Sequence, residues 1–413
     1  MVGQGLIGIA AILGLAWLAG ERRKQVAWRV VGGGLSLQVA LAVILIGLPA
    51  SRQFLSGANV IVQGLQSATR AGTSFVFGYL GGGTAPFAVT SASSSFVLAF
   101  QALPLILLVS ALSALLFHWR IIQPFVKGFA WLLGRSIGVG GVVGVAAAAN
   151  VFVGMIEAPL LVRPYLAAMS RGGLFAVMAC GLATIAGTVF VIYATILAPV
   201  LPDAAGHLLT ASLLNAPAAL TIAALMIPPD GDPRETPPLG RSDIHSSMEA
   251  IATGTIEGVA LVINIAAMLI VMVALVALIN QILSVFPALG GAPLTLQRAL
   301  GWIAAPFAWS LGIPWHEAPA AGGLIGVKVI LNEFIAYVDL AALPKGTLSD
   351  RTQVILIYAL CGFANVGSLG ILIGGLTTMV PERRAEIIDM GWRAVLAGLL
   401  ASCLTGAIAG LFL

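Results

Sequence analysis

Apolar stretches long enough to cross a bilayer recur along the whole chain, and the clearest is IEGVALVINIAAMLIVMVALVALI, residues Ile256–Ile279. A spanning helix needs about 20 residues, and lipid offers no partner to an unpaired backbone group, so such stretches become helices or nothing. Composition removes the alternative of a large soluble body. Only 9% of the residues are charged and 59% are hydrophobic, whereas a soluble domain carries roughly 25% charged residues. The chain reads as an all-α polytopic membrane protein with room for roughly eight to eleven membrane segments. A single-anchor enzyme and a nucleic-acid binder are excluded, despite the net charge of +4. Cys180, Cys361 and Cys403 lie apart in apolar surroundings, which supports neither a disulfide framework nor a zinc site.

The apolar run Met1–Gly20 has no charge ahead of it and is followed by Glu21-Arg22-Arg23-Lys24. A secretory signal carries its basic residues on the other flank, so a retained helix with its basic end in the cytoplasm is expected. Arg120, Lys127, Arg135, Arg163 and Arg171 mark further cytoplasmic connections. PPDGDPRETPPLGR, Pro228–Arg241, is a soluble loop dividing the chain into halves, because prolines and charges neither continue a helix nor enter lipid.

Membrane segments are expected near 2–20, 30–49, 95–118, 138–155, 157–170, 174–200, 208–227, 255–286, 300–325, 328–343, 353–380 and 391–413. Several are too short to cross alone. GVGGVVGVAAAANVFVGMIEA collects small residues ahead of Gly154-x-x-Glu157-Ala158-Pro159, which favours a re-entrant hairpin or broken helix. Gly312-Ile313-Pro314-Trp315 through Gly326 repeats these ingredients ahead of Asn332-Glu333. Paired interrupted segments in two halves point to a transporter binding site. A faint internal echo agrees: Glu157 is followed by Ala186-Gly187-Thr188, and Glu333, at a similar distance, by Val366-Gly367-Ser368.

Only Glu21 precedes Glu157 among the acids. A carboxylate in an apolar run costs several kcal/mol unless it faces a polar cavity or a partner, so Glu157 and Glu333 are the leading functional candidates. The plain alternative is an ion pair, Lys328 being the obvious partner for Glu333. Glu257 and Glu317 read as boundary residues, His118 as a headgroup contact, and His207 and His245 as loop-proximal with no metal-ligand spacing. Asn150, Asn332 and Asn365 are expensive in lipid unless hydrogen-bonded. Asn150 lies one helical turn before Gly154, where freed carbonyls and an amide oxygen can ligate a hard cation; glue between helices is the other reading of each asparagine.

The string Gly326-Val327-Lys328-Val329-Ile330-Leu331-Asn332-Glu333-Phe334-Ile335-Ala336-Tyr337 resembles the signature of the concentrative nucleoside transporters. Trp28-Arg29 with Gln38, Gly72–Gly78, Phe100-Gln101-Ala102-Leu103-Pro104, Gly154 to Pro159, Gly312-Ile313-Pro314-Trp315 and Cys361-Gly362-Phe363-Ala364-Asn365 resemble the same family, so the likeness runs from about residue 20 to 400. It implies a homotrimer in a bacterial inner membrane, with about eight transmembrane helices, two re-entrant hairpins, and an inverted-repeat transport domain that moves like an elevator against a scaffold domain. The implied division is 1–125 as N-terminal, largely scaffold helices; 126–227 as the first hairpin and following transport helices; 228–300 as the soluble loop and long scaffold helix; 301–390 as the second hairpin and its transport helices; and 391–413 as a C-terminal helix. By the same resemblance Glu157 lies near the nucleobase, Glu333, Phe363, Asn365 and Ser368 hold the ribose, and Met155, Ile156, Val189 and Asn332 complete the substrate site. Asn150, Val153, Thr184 and Ile185 match the sodium positions, Thr184 standing where a serine is common.

Two departures bear on selectivity. Where the family usually has Gln and a hydroxyl residue between the hairpin glycine and its glutamate, this chain has Met155 and Ile156, which removes hydrogen bonds to the base. Gly367 stands where a serine often sits beside the ribose acceptors. The expected activity is uptake of a nucleoside or nucleoside-like solute driven by sodium, with no organic cofactor and atypical base selectivity. Proton coupling through the two glutamates is the alternative ion reading. An intramembrane enzyme using Glu157 and Glu333 as acid and base is a remote reading, since neither a metal-ligand cluster nor a Ser/His/Asp constellation is legible.

Overall fold

The computed structural model describes residues 2–21, 23, 25–89, 96–139, 141–228, 244–288, 291 and 293–413. Arg22, Lys24 and positions 229–241 of the expected soluble loop lie outside the described residues. Among those described the chain is helical throughout. In order the helices are α1 (Val2–Leu18), α2 (Trp28–Ala42, continued by a wider turn over Val43–Gly47), α3 (Pro49–Phe77), α4 (Leu98–Gln101), α5 (Leu105–His118), α6 (Ile122–Ile137), α7 (Gly141–Asn150), α8 (Glu157–Leu161), α9 (Arg163–Leu166) and α10 (Arg171–Ala183). They continue with α11 (Gly187–Leu197), α12 (Ala204–Met226), α13 (Ser247–Leu283), α14 (Leu296–Ser310), α15 (Ala318–Ile330), α16 (Glu333–Ala342), α17 (Asp350–Leu360), α18 (Val366–Met379) and α19 (Arg384–Ala409).

Among the described residues six helical stretches are long and apolar enough to cross a membrane: Trp28–Gly47, Leu98–His118, Arg171–Leu197, Ala204–Met226, Ser247–Leu283 and Pro381–Ala409. The segments expected at 138–155 and 157–170 become short helices around a turn at 151–156. The stretch expected at 300–325 is two helices, α14 and α15, packed together across the turn 311–317. Gly312 takes φ +98° in that turn. The interruption that matches the first-half break is therefore not at Gly312–Trp315 but at Leu331–Asn332, where the chain turns extended between α15 and α16.

With that correction the order of elements repeats. A helix, a break, a second helical piece, a helix, a break and two further helices run from α7 to α12, and again from α15 to α19. This explains the sequence echo, because Glu157 and Glu333 open α8 and α16, while Gly187 and Gly367 lie in the first turns of α11 and α18.

The core forms around α12, nearly all of whose residues are buried against α2, α10 and α19. Small residues allow the close approaches. A Cβ on Gly34 would collide with the Thr221 hydroxyl of α12, and Gln38 Nε2 donates to Thr405 Oγ1 of α19 at 3.0 Å. Outside this core α13 lies along α5. Its buried positions include Ala250, Gly254 and Gly258, spaced four apart, and a Cβ at Gly258 would sit 3.1 Å from Leu107 Cα. That is the small-xxx-small seam by which helices approach in lipid. The remaining apolar faces of α13, such as Ile256, Ile263 and Ile270, are exposed.

At one end of the bundle charges tie three elements together. Arg171 donates to Glu21 at 2.7 Å and to Asp389 at 2.5 Å, and Arg393 reaches Glu21 as well. The hydrogen bond from Arg171 holds the Glu21 carboxyl below its usual range, with the positive charges of Arg171 and Arg393 adding to it.

Candidate functional site

The second-half break is built from two asparagines that each start a helix. Asn332 is the N-cap of α16, its side chain accepting from Ile335 N at 2.9 Å; Asn365 caps α18 by accepting from Ser368 N at 2.7 Å. Caps of this type contribute about 1 kcal/mol each. Asn365 in addition ties α18 to α16 through its bond to Glu333. Capping fixes the next residue, and Glu333 thereby sits in the first turn of α16, where the helix dipole favours an anion.

Glu333 is buried, and both of its oxygens are engaged. Tyr193 donates its hydroxyl to Oε1 at 2.6 Å and Asn365 donates Nδ2 to Oε2 at 2.8 Å. The alternative reading, an ion pair with Lys328, is not formed. Lys328, itself fully buried, donates to Ala359 O at 2.8 Å and to Ser402 Oγ at 2.7 Å. A carboxylate oxygen can accept more than one hydrogen bond, so each Glu333 oxygen keeps capacity for a further donor. The arrangement is an acceptor set for hydroxyl groups; half-buried Phe363 and buried Ser368 flank Asn365 along the chain.

Tyr193 was not legible as a site residue in the sequence. It lies in the apolar run of α11, and its ring packs against Phe334 and Tyr337. The available signal is that a fully buried tyrosine hydroxyl needs a partner.

The first-half break is looser. Asn150 is the last residue of α7 and fully buried, yet neither its Oδ1 nor its Nδ2 has a hydrogen-bond partner. Thr184 directs its hydroxyl toward Asn150 O at 3.3 Å and Cys180 O at 3.0 Å. The buried Ile185 follows Thr184 in the extended segment between α10 and α11, and Val153 lies in the turn after Asn150. The unpartnered Asn150 amide oxygen and the Thr184 hydroxyl oxygen are hard donors, of the kind that suits a small cation. A Cβ at Gly187 would sit 2.6 Å from Phe152 O, so the glycine lets the two pieces of chain close up.

Glu157 opens α8 and is exposed, unlike Glu333. Its carboxylate folds over Gly154, where any side chain would strike it. Met155 rests against Gly181 of α10, and Ile156 inserts its Cδ1 into the notch left by Gly375 of α18. Val189 is buried in the first turn of α11. From outside this frame α13 reaches the rim, with Met268 Cε 3.8 Å from where a Cβ on Gly367 would lie.

The other candidates have structural tasks. Glu317 accepts from the backbone and hydroxyl of Ser349 at the start of α17, at 3.2 and 3.1 Å. His207 Nδ1 lies 3.1 Å from the Tyr358 hydroxyl, and the His245 backbone donates to Glu249. His118 ends α5, and the three cysteines are free and buried.

Residues 207–410 match the family model described as Na+ dependent nucleoside transporter C-terminus, 7–80 match the N-terminus of the same family, and 99–200 match one described as nucleoside recognition. The nucleoside permease NupC of Helicobacter pylori is 35% identical over 414 residues, covering 99% of this chain and 97% of the relative. A solved structure of CNTnw in an inward-facing substrate-bound state is 36% identical and aligns over 100% of this chain and 98% of that one with a TM-score of 0.90. A substituted CNTnw in an outward-facing state gives the same identity and TM-score over 100% and 97%. These relatives are transporters and not enzymes. Likeness of this degree over essentially the full length makes this chain a member of the Na+-dependent nucleoside transporter family, an integral membrane protein.

Proposed function

We propose that the chain is a sodium-coupled symporter that carries a nucleoside or nucleoside-like solute into a bacterial cell across the inner membrane. The observation that carries this reading is Glu333, whose two oxygens are oriented by Tyr193 and Asn365 while Lys328 is engaged elsewhere. Ribose hydroxyls need fixed acceptors, and this carboxylate supplies them with its hydrogen-bond directions already set. Asn332, Phe363 and Ser368 complete the sugar side, and Glu157, Met155, Ile156 and Val189 face the base. With Met155 and Ile156 offering no hydrogen-bonding groups beyond their backbone, the base is selected by shape and stacking more than by its polar edge.

Sodium would be bound through Asn150, Val153, Thr184 and Ile185, the orphaned Asn150 amide being the supporting feature. An ion there orders the first break and so prepares the site, which makes ion and solute binding reciprocal. The working assembly is a homotrimer, with eight transmembrane helices and two re-entrant hairpins per protomer. The repeated frame α7–α12 and α15–α19 would move as the transport domain, in the manner of an elevator, against a scaffold that includes α5 and α13.

The alternative coupling ion is the proton, carried through the two membrane glutamates Glu157 and Glu333.

Uptake by purified protein in proteoliposomes tests both. Uridine or adenosine should accumulate above its outside concentration under an inward sodium gradient and should not do so when choline replaces sodium. Equal uptake without sodium overturns the sodium reading, and accumulation driven by an acid exterior alone supports the proton one.

A further inference from the structure

Two helices of the repeated frame stop inside the core, α10 at Ala183 and α17 at Leu360. The last carbonyls of a helix have no donor within it, and in a buried position water does not supply one. At the end of α17 side chains take over: the Tyr337 hydroxyl donates to Ile357 O at 2.9 Å and Lys328 Nζ to Ala359 O at 2.8 Å. One further residue serves both ends at once. Asn215, fully buried in the middle of α12, donates Nδ2 to Ala183 O at 2.8 Å and to Cys361 O at 2.7 Å.

The amide is committed to this task. Its Oδ1 has no hydrogen-bond partner, and turning the amide over would set that oxygen against two carbonyl oxygens, so the donor must face the two helix ends. Glycine completes the junction. Gly362 has φ +146°, and a Cβ there would lie 2.5 Å from Ala183 O, so only glycine lets the segment after α17 rest on the end of α10.

Ala183 immediately precedes Thr184 and Ile185 of the cation side. Cys361 stands two residues before Phe363 and four before Asn365, which holds Glu333. We propose that Asn215 is a positioning residue that couples the two sides: its paired hydrogen bonds make the segment at 184–186 and the segment at 361–365 one unit, so that ordering either orders the other. Sodium that fixes Thr184 and Ile185 thereby fixes Phe363 and Asn365 before the solute arrives. This inference rests on the sodium-coupled reading above.

The test measures linkage, which a merely structural role does not move. Binding of uridine or adenosine to the full-length protein in detergent is titrated in sodium and in choline, and sodium binding is titrated with and without the nucleoside; the two ratios give one coupling factor. In Asn215→Leu, which keeps the branched shape and removes both N–H donors, the factor should fall at least threefold toward one. If Asn215→Leu does not fold, Gly362→Ala is used, since it separates the same two segments from the other side, and it should lower the factor likewise. A folded variant that binds less tightly but keeps the wild-type factor overturns the proposal and leaves the sodium-coupled reading standing. A wild-type factor of one overturns that reading, and the proposal with it.

Discussion

The two breaks that open α8 and α16 occupy the same place in the repeated frame and are finished in opposite ways. At Leu331–Asn332 the interruption is short, Asn332 caps the next helix, and Glu333 is buried with both oxygens engaged. At 151–156 the interruption is longer, no side chain caps α8, Glu157 is exposed, and the Asn150 amide is buried without partners. The second break is assembled in advance, whereas the first has a deficit that a ligand can fill. Unsatisfied buried polar groups cost about 1–3 kcal/mol each, so the first break has the most to gain from a cation.

The largest test of this contrast is Glu333→Gln. Losing a carboxylate that accepts charge-assisted hydrogen bonds, worth about 1.5–3 kcal/mol each, should reduce nucleoside uptake by roughly a hundredfold or more, with the folded oligomer intact by size-exclusion chromatography. Normal uptake would remove Glu333 from the sugar site. Next in size is Asn150→Leu, which fills the orphaned position with an apolar side chain. The sodium concentration for half-maximal uptake should rise about tenfold, as for loss of one ligand worth about 1.4 kcal/mol, while thermal stability in choline stays the same or rises. An unchanged sodium dependence would show that the deficit at the first break has another meaning.

A smaller effect is expected at the selectivity positions. Met155→Gln with Ile156→Thr should reorder the preference among purine and pyrimidine nucleosides in a thermal-shift panel, by roughly threefold to tenfold in affinity. An identical ranking would detach these residues from the base. Asn332→Ala removes a cap and should lower stability by about 1 kcal/mol, read as a reduced melting temperature; an unchanged melting temperature would show that the cap does not hold α16 in place. The smallest effect lies at the charged end. Because Arg171 depresses the Glu21 pKa, the stabilisation from this pair is complete above the ordinary glutamate value and is lost as pH falls through the depressed one. Glu21→Gln should therefore lower the melting temperature slightly at neutral pH, and the difference from wild type should vanish in acid. A difference that persists at low pH would assign the effect to packing.

Much of the frame was legible before any coordinates. Sparse charge forced membrane helices, and Glu157 and Glu333 stood out because isolated acids in apolar runs demand a reason. The position of the second break was not legible. Gly312 and Pro314 look like the stronger interruption, yet they form an ordinary turn between α14 and α15, while the break at Leu331–Asn332 carries neither glycine nor proline. An asparagine cap can start a helix as firmly as proline or glycine can end one, and composition alone does not reveal which residue caps which helix. The partner of Lys328 was not legible either: five residues from Glu333 in sequence, it turns to the end of α17 and to Ser402 of α19.

What the sequence determined by itself is the solvent in which this chain folds and the identity of the groups that solvent cannot tolerate, because transfer of charge and unpaired amide into lipid is a property of the residue type. What only the tertiary structure decided is how those groups are satisfied. Tyr193 lies 140 positions before Glu333, and Asn215 is 32 positions from one of its carbonyls and 146 from the other. Such pairings exist only once separate helices pack, since hydrogen bonding is a matter of distance and direction in space and leaves no local pattern along the chain.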